Sequence, residues 1–346
     1  MIEAEANHDD LDGIPPPTAN VSLMGRAAQW NELTEAFASG RMHHAWLLQG
    51  PAGIGKATTA VAFARFISGD VPEGTSDALR FDETSTVVRQ IAQAAHPQVL
   101  HLARPPAERG EGFRTQITVD EIRRLNHFFH STSSGSWRVA IIDPADDLNR
   151  SAANALLKTL EEPPARSLFL ICNHAAGRLL PTIRSRCRIL PFEPLTANEV
   201  TTLVKRLDPD HGDDAVRAAV ISSSGSVRSA LGVLRNGGQE IASVAERLVL
   251  ASEPDWTSIQ ALADSLVQKG RESAYALALD AFASYLVDEA RNALAARPRH
   301  AAAIATLWQS ETTRWREATA YNLDRKQVIL SFFQNLHDVR QRSVNT

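Results

Sequence analysis

The stretch from His44 to Thr59, HAWLLQGPAGIGKATT, constrains the fold more than any other. Ala45-Trp46-Leu47-Leu48 is a short apolar run that ends at once in Gly50-Pro51-Ala52-Gly53-Ile54-Gly55-Lys56. The alanine-rich segment from Thr58 to Ile67 then has helical character. Strand, glycine loop and helix in that order turn a G-x-x-x-x-G-K string into a phosphate-binding loop. Gly50, Gly53 and Gly55 let the backbone bend with its N–H groups inward, and the helix N-terminus adds partial positive charge. Lys56 is placed to reach outer phosphates. The next residue breaks the pattern. A hydrolysing loop carries Ser or Thr after the lysine, because that hydroxyl helps hold Mg²⁺. Here Ala57 stands there, and Thr58 comes one place late, turned about 100° around the helix. The residues therefore favour nucleotide binding without efficient turnover, against the plainer reading of a glycine-rich turn that holds nothing.

Val139-Ala140-Ile141-Ile142-Asp143 is the second informative stretch. An apolar run ending in aspartate is how a buried parallel strand delivers a carboxylate to Mg²⁺ at its C-terminal edge. Hydrolases of this kind place Glu directly after that Asp, whereas this chain has Pro144, which offers no base. Asp146 and Asp147 are expected to cap the following helix, Ser151 to Glu162, which Pro163-Pro164 stops. Leu168 to Cys172 reads as another buried strand followed by Asn173-His174, and Ile189 to Phe192 as a last one. Between them, Arg184, Arg186 and Arg188 fall within five residues. They form either a charged surface cluster or a presented arginine that reaches an anionic group on another molecule.

Flanking segments are less specific. Residues 1–20 are acidic, then proline-rich, and read as a flexible tail. His43 and His44 read as loop residues near the phosphate site rather than as a metal pair. Gly69 to Ala94 is polar and weakly periodic, and His96 to Leu102 resembles a second strand. Thr118-x-x-Glu121 and Thr196-x-x-Glu199 read as capping boxes. Arg123 and Arg124 are either a phosphate contact or a solvated pair. After Pro194 everything reads as helix. Gly237-Gly238 marks a linker, and Ala274–Leu294, Ala301–Tyr321 and Lys326–Val339 are amphipathic stretches without a catalytic constellation, which reads as a helical association domain. Arg228 lies in the first turn of a helix beginning near Ser224, where a cation is unfavourable unless an anion faces it.

A net charge of −4 over 346 residues argues against a uniformly basic nucleic-acid coat. The two cysteines, Cys172 and Cys187, form no C-x-x-C pair, which fits a reducing cytoplasm. No run approaches the roughly 20 apolar residues of a membrane span, so the chain reads as soluble, without a membrane partner.

Taken in order, these stretches resemble the delta-prime family of the bacterial replicative clamp loader, within the AAA+ superfamily. The likeness covers Leu23 to Val344. It rests on the glycine loop, His96-Pro97, Ser151 to Pro164 (SAANALLKTLEEPP), Arg184-Ser185-Arg186-Cys187, Gly225-Ser226-Val227-Arg228 and Asn322 to Lys326. The resemblance implies an α/β, RecA-like AAA+ parallel-sheet P-loop domain over 21–195. It also implies a three-helix lid over 196–238 and an all-helical C-terminal collar over 239–346 that joins a pentameric ring. It implies that Arg186 is donated in trans to ATP on a neighbouring gamma/tau subunit, that Arg228 contacts nucleotide within its own subunit, and that Asn173 sits near a sensor position. The nucleotide set is then Gly50, Gly53, Gly55, Lys56, Ala57, Thr58, Asp143, Asn173 and Arg228, holding ATP or ADP with Mg²⁺ and without turnover. Partners implied are gamma/tau and delta subunits, the beta sliding clamp through the complex, and the backbone of primer-template DNA. Many relatives carry a four-cysteine zinc module before the His-Pro strand; Gly69 to Ala95 has no cysteine, so no zinc and no other metal site is expected. The rival readings are an active gamma/tau-type ATPase and, more distantly, a P-loop kinase for a small molecule.

Overall fold

Each apolar run that ends in a turn residue becomes a strand of one parallel sheet. The computed structural model describes all residues except 1, 3, 108–111, 131–134, 176, 178, 236–237, 252, 269–270, 321–322 and 345–346. In chain order the first unit contains β1 (Ser22–Met24), α1 (Ala27–Ala38), β2 (Ala45–Gln49), α2 (Lys56–Ile67), β3 (Glu73–Thr75), β4 (Ala78–Arg80) and α3 (Thr86–Ala92). It continues with β5 (Val99–Leu102), α4 (Val119–His130), β6 (Arg138–Ile142), α5 (Arg150–Glu161), β7 (Ser167–Asn173), α6 (Pro181–Arg184), β8 (Arg188–Pro191) and α7 (Ala197–Leu207).

The main sheet has the order β5-β6-β7-β2-β8, with every neighbouring pair parallel. This is the RecA-like AAA+ arrangement: the strand feeding the glycine loop is interior, and one strand separates it from the strand that ends at Asp143. Period-two alternation sorts the side chains. Trp46 and Leu48 enter one core with Trp30, Phe63 and Leu170, while Ala45 and Leu47 enter the other with Ile122, Leu156 and Phe169. Both faces are thus covered, which is why β6 and β7 are buried along their whole lengths.

Three features depart from expectation. Gly69 to Ala94, polar and weakly periodic in sequence, carries β3 and β4, which form a small antiparallel sheet with β1, followed by α3. The described part of residues 1–20 packs on the domain rather than trailing from it. Thr18 and Ala19 are buried, and buried Arg65 donates to the carbonyls of Asn20 at 2.7 Å and Thr18 at 2.6 Å. Third, α5 is capped by neither Asp146 nor Asp147 but by Asn149, whose Oδ1 accepts from Ala152 N at 2.8 Å. Asn149→Ala is expected to cost about 1 kcal/mol of stability, read as a lowered midpoint in urea with unchanged slope.

The chain divides into two compact units, residues 1–210 with 223–228, and residues 211–222 with 229–346. The division cuts the expected lid: α7 belongs to the first unit, and α8 (Asp213–Ser222) to the second. The second unit is helical throughout, with most of α9 (Val227–Arg235), then α10 (Gly238–Leu250), α11 (Trp256–Leu266), α12 (Glu272–Ala293), α13 (Pro298–Ala320) and α14 (Arg325–Val344). Gly238, expected in a linker, opens α10; Gly237 lies outside the described residues. The core here is built on the stacked rings of Phe282 and Phe332, 4.6 Å apart, with Trp315 edge-on to Phe332. Burial pushes the Glu289 carboxyl up, but hydrogen bonds from Arg340 and His300 outweigh it and hold its pKa below the ordinary value. No helix among the described residues is long and apolar enough to cross a membrane.

Candidate nucleotide site

Parallel strands bring their loops to one edge, and the first unit collects its polar residues there. The loop after β2 turns into α2 through Gly53 and Gly55, both left-handed, with φ of 72° and 95°. Two of its glycines also have no room for a side chain. A Cβ on Gly50 would stand 2.2 Å from the Phe192 carbonyl oxygen, and one on Gly53 would stand 2.6 Å from the Cβ of Arg228. The Arg228 N–H faces the Gly53 carbonyl at 3.4 Å. Arg228 is thereby set beside the loop, although 175 positions separate the two in sequence.

Lys56 is buried and folds back on its own loop, donating to the carbonyls of Gly50 at 2.6 Å and Pro51. Burial pulls its pKa down, against the charges of Asp143 and Asp146. Ala57 packs its methyl against the core and offers no hydroxyl. Thr58 is half-buried on α2, and the hydroxyl of Thr59, one turn in, donates to Gly55 O at 2.9 Å.

Asp143 directly follows β6 and precedes a cis Asp143–Pro144 bond. Burial would raise its pKa, but the His101 ring, 3.8 Å away, with His174 and Lys56, holds the carboxyl below the usual range. Asn173 ends β7, level with Gln49 of β2, and its carbonyl accepts from Gly50 N at 3.2 Å. Its side chain is buried; Nδ2 donates to Ala175 O at 3.1 Å, while Oδ1 has no protein partner. Asp146 accepts from the N–H groups of His174 at 2.7 Å and Ala175 at 3.0 Å, which fixes the turn after β7. Asp147 holds Arg104 through two bonds of 2.6 and 2.8 Å. Both aspartates are thus engaged by protein partners. Gly50, Gly53, Gly55, Lys56, Asp143, Asn173 and Arg228 therefore meet at one edge, with Ala57 and Thr58 at the start of α2.

Arg26, which no motif singles out, braces this edge. It is buried and donates to Ile54 O through Nε at 3.0 Å and Nη2 at 2.5 Å, and to Glu193 O through Nη1 at 2.9 Å. Its guanidinium also lies over the Phe192 ring at 5.4 Å. Only the Gly25-Arg26 step before an amphipathic helix could have flagged it.

Arg186 lies elsewhere. It precedes β8, where Arg188 is level with Trp46, whereas the glycine loop begins only after Gln49. Four or more residues of strand separate the two levels, roughly 13 Å at strand rise, so Arg186 is at the opposite edge of the sheet from its own loop. Its Nη2 pairs with Glu161 at 2.5 Å and Nη1 donates to Thr182 O at 2.9 Å. The arginine trio splits: Arg188 pairs with Glu32 at 2.7 Å and lies over the Trp46 ring, and Arg184 is exposed. Arg123 pairs with Asp120 at 2.7 Å on an exposed helix start. The His43 and His44 rings stack 4.4 Å apart just before β2. Among the described residues no group of three or more His, Cys, Asp or Glu is placed to hold a metal.

Comparison with known proteins finds similar sequences among DNA polymerase III subunits. The family described as DNA polymerase III, delta subunit, matches residues 25–196. The DNA polymerase III subunit delta′ of Pseudomonas aeruginosa is 34% identical over 202 residues, 57% of this chain and 58% of that one. Its counterpart in Escherichia coli is 30% identical over 236 residues, 67% of each chain. A DNA polymerase III subunit gamma from Buchnera aphidicola is 27% identical over 225 residues, 64% of this chain and 58% of that one. The chain thus spans between 58% and 67% of the length of these relatives. With the parallel sheet, its glycine loop and these relatives together, the chain belongs to the DNA polymerase III clamp-loader family that contains the delta-prime subunits.

Proposed function

We propose that the chain is a delta-prime stator: a clamp-loader subunit that holds nucleotide without turning it over and lends Arg186 to a neighbour's ATP. The observation that carries this reading is the separation of its two functional edges. The edge with the glycine loop lacks two parts of a hydrolytic site, because position 57 is an apolar methyl packed against the core and Pro144 follows Asp143. The opposite edge presents an arginine that its own loop cannot use.

The loop edge nevertheless fits a nucleotide. The glycine backbone that tolerates no Cβ, the buried ammonium of Lys56, the guanidinium of Arg228 and the unpartnered Oδ1 of Asn173 are groups a polyphosphate would engage. Lys56 and the loop N–H groups would hold the phosphates, with Asp143 toward a Mg²⁺, and Thr58 and Arg228 flanking them. When bound, ATP or ADP with Mg²⁺ would supply a polyanion that ties loop, β6 and β7 together. With neither hydroxyl at 57 nor base at 144, nothing here activates a water.

Arg186 would act by neutralising charge that develops on a phosphoryl group in the neighbouring gamma/tau subunit, which makes turnover depend on assembly. In this reading the lid and the collar (239–346) join the subunit to gamma/tau and delta. The assembled loader, in the cytoplasm, engages the beta clamp and the backbone of primer-template DNA. The gamma-named relatives favour the rival, an active ATPase, but Ala57 and Pro144 oppose it. Fluorescent-ADP titration and ATPase assay of the isolated chain separate the two. Binding that Lys56→Ala weakens at least tenfold, with no turnover, is expected. Turnover by the isolated chain that Lys56→Ala abolishes overturns the stator reading.

A further inference from the structure

Arg228 stands in the first turn of α9, where the helix dipole opposes a cation, and the structure supplies the anion it requires. Asp9 Oδ1 lies 2.9 Å from Arg228 Nη2, and the Asp9 carbonyl accepts from Nη1. Asp9 belongs to a tight turn. Asn7 N donates to Asp10 Oδ2 at 2.7 Å and Asp10 N to Asn7 O at 3.2 Å. The turn lies across the loop edge. His8 Nε2 is 3.7 Å from Asp147, its ring is edge-on to Phe113 at 6.3 Å, and its side chain is only 11% exposed. Residues 1–20 carry five carboxylates and no Lys or Arg.

We propose that residues 7–10 are an intramolecular occupant of the phosphate cradle, with Asp9 taking the place on Arg228 that a phosphate oxygen would take. The inference rests on the nucleotide-binding reading above. A carboxylate and a carbonyl on one guanidinium reproduce the paired acceptors of a phosphate, and the carboxylate adds negative charge to an edge that collects Lys56, Arg228 and Arg104. Bound nucleotide and the docked turn are then mutually exclusive, so binding must release the turn.

The anchoring suits such a release. Upstream, Glu5 N donates to Ala92 O at 3.0 Å. Downstream, the segment is fixed by buried Arg65 at Thr18 and Asn20. Between turn and anchor lies Gly13, left-handed at φ 69°, followed by Pro15, Pro16 and Pro17. Gly13 is a pivot that lets 7–12 move while the anchors at 5 and 18–20 stay in place, and the stiff proline run keeps the turn close to the cradle.

Fluorescent-ADP titration of the full chain, of Asp9→Ala and of a chain lacking residues 1–12 tests this, with hydrogen exchange followed at the Asn7 and Asp10 amides. Both altered chains are expected to bind ADP at least tenfold more tightly than the intact one. ADP is expected to speed exchange of those two amides in the intact chain. Equal affinity of the intact and altered chains, with exchange at 7–10 unchanged by ADP, overturns the occlusion while leaving nucleotide binding standing. Failure of all three to bind ADP overturns the nucleotide reading itself, and the occlusion with it.

Discussion

Arg186→Ala in a reconstituted loader is expected to lower DNA-stimulated ATP turnover by roughly a thousandfold at the site the arginine serves, at the lower end of what an arginine finger contributes. The isolated variant should unfold at the same temperature as the parent, because what the residue loses locally is small. Its ion pair with Glu161 joins side chains 34% and 49% exposed, and such pairs contribute little. A residue that matters only structurally would show the reverse pattern. Arg186→Lys should not restore turnover, since a point charge on a flexible stem lacks the planar fork. Glu161→Ala is a useful companion: it releases the guanidinium without removing it, and turnover should change less than tenfold. Undiminished turnover by Arg186→Ala loaders would remove the in-trans role.

Arg26→Ala should have the largest effect on the chain taken alone, a loss of about 3 kcal/mol in urea unfolding, together with weakened ADP binding. The guanidinium serves Ile54 O and Glu193 O at once. Removing it leaves acceptors unpaired in a buried corner, each costing about 1–3 kcal/mol, and withdraws a cation from the Phe192 ring. Since Ile54 lies inside the glycine loop, the loop's shape goes with it. Arg26→Lys should recover only part, because one ammonium cannot span both carbonyls in the same plane. A variant as stable as the parent with full ADP affinity would show that the loop holds itself.

What was legible in the sequence follows from range. The buried strands announce themselves because parallel sheet interiors demand unbroken apolar runs, as at Val139–Ile142 and Leu168–Cys172. The capping box at Thr196 and Glu199 is local chemistry and forms as read. The residues expected around the glycine loop fall together because they lie in the loops after strands or at the starts of helices, positions that a parallel fold brings to one edge. Arg26 escaped notice because its partners are 28 and 167 residues away. The β1-β4-β3 sheet was missed for another reason: β3 is exposed at every residue, so no hydrophobic alternation marks it. Acidic, proline-rich residues 1–20 have a disordered composition, yet a buried backbone acceptor at 18 and a part-buried one at 20 find Arg65, an arginine that α2 buries for them. Asp146 and Asp147 lie just before a helix and so read as its caps, yet both bind groups far along the chain, at 174–175 and 104.

The placement of Arg186 at one edge of the parallel sheet and of the glycine loop at the other gives the molecule a head and a tail. Subunits built this way can cooperate only in a directional file, each serving the next and served by the one before. In the role proposed above, a member that gives an arginine but cannot use one would interrupt that file. An assembly containing it would then have a seam at a fixed place, and its cycle of turnover a defined first and last participant.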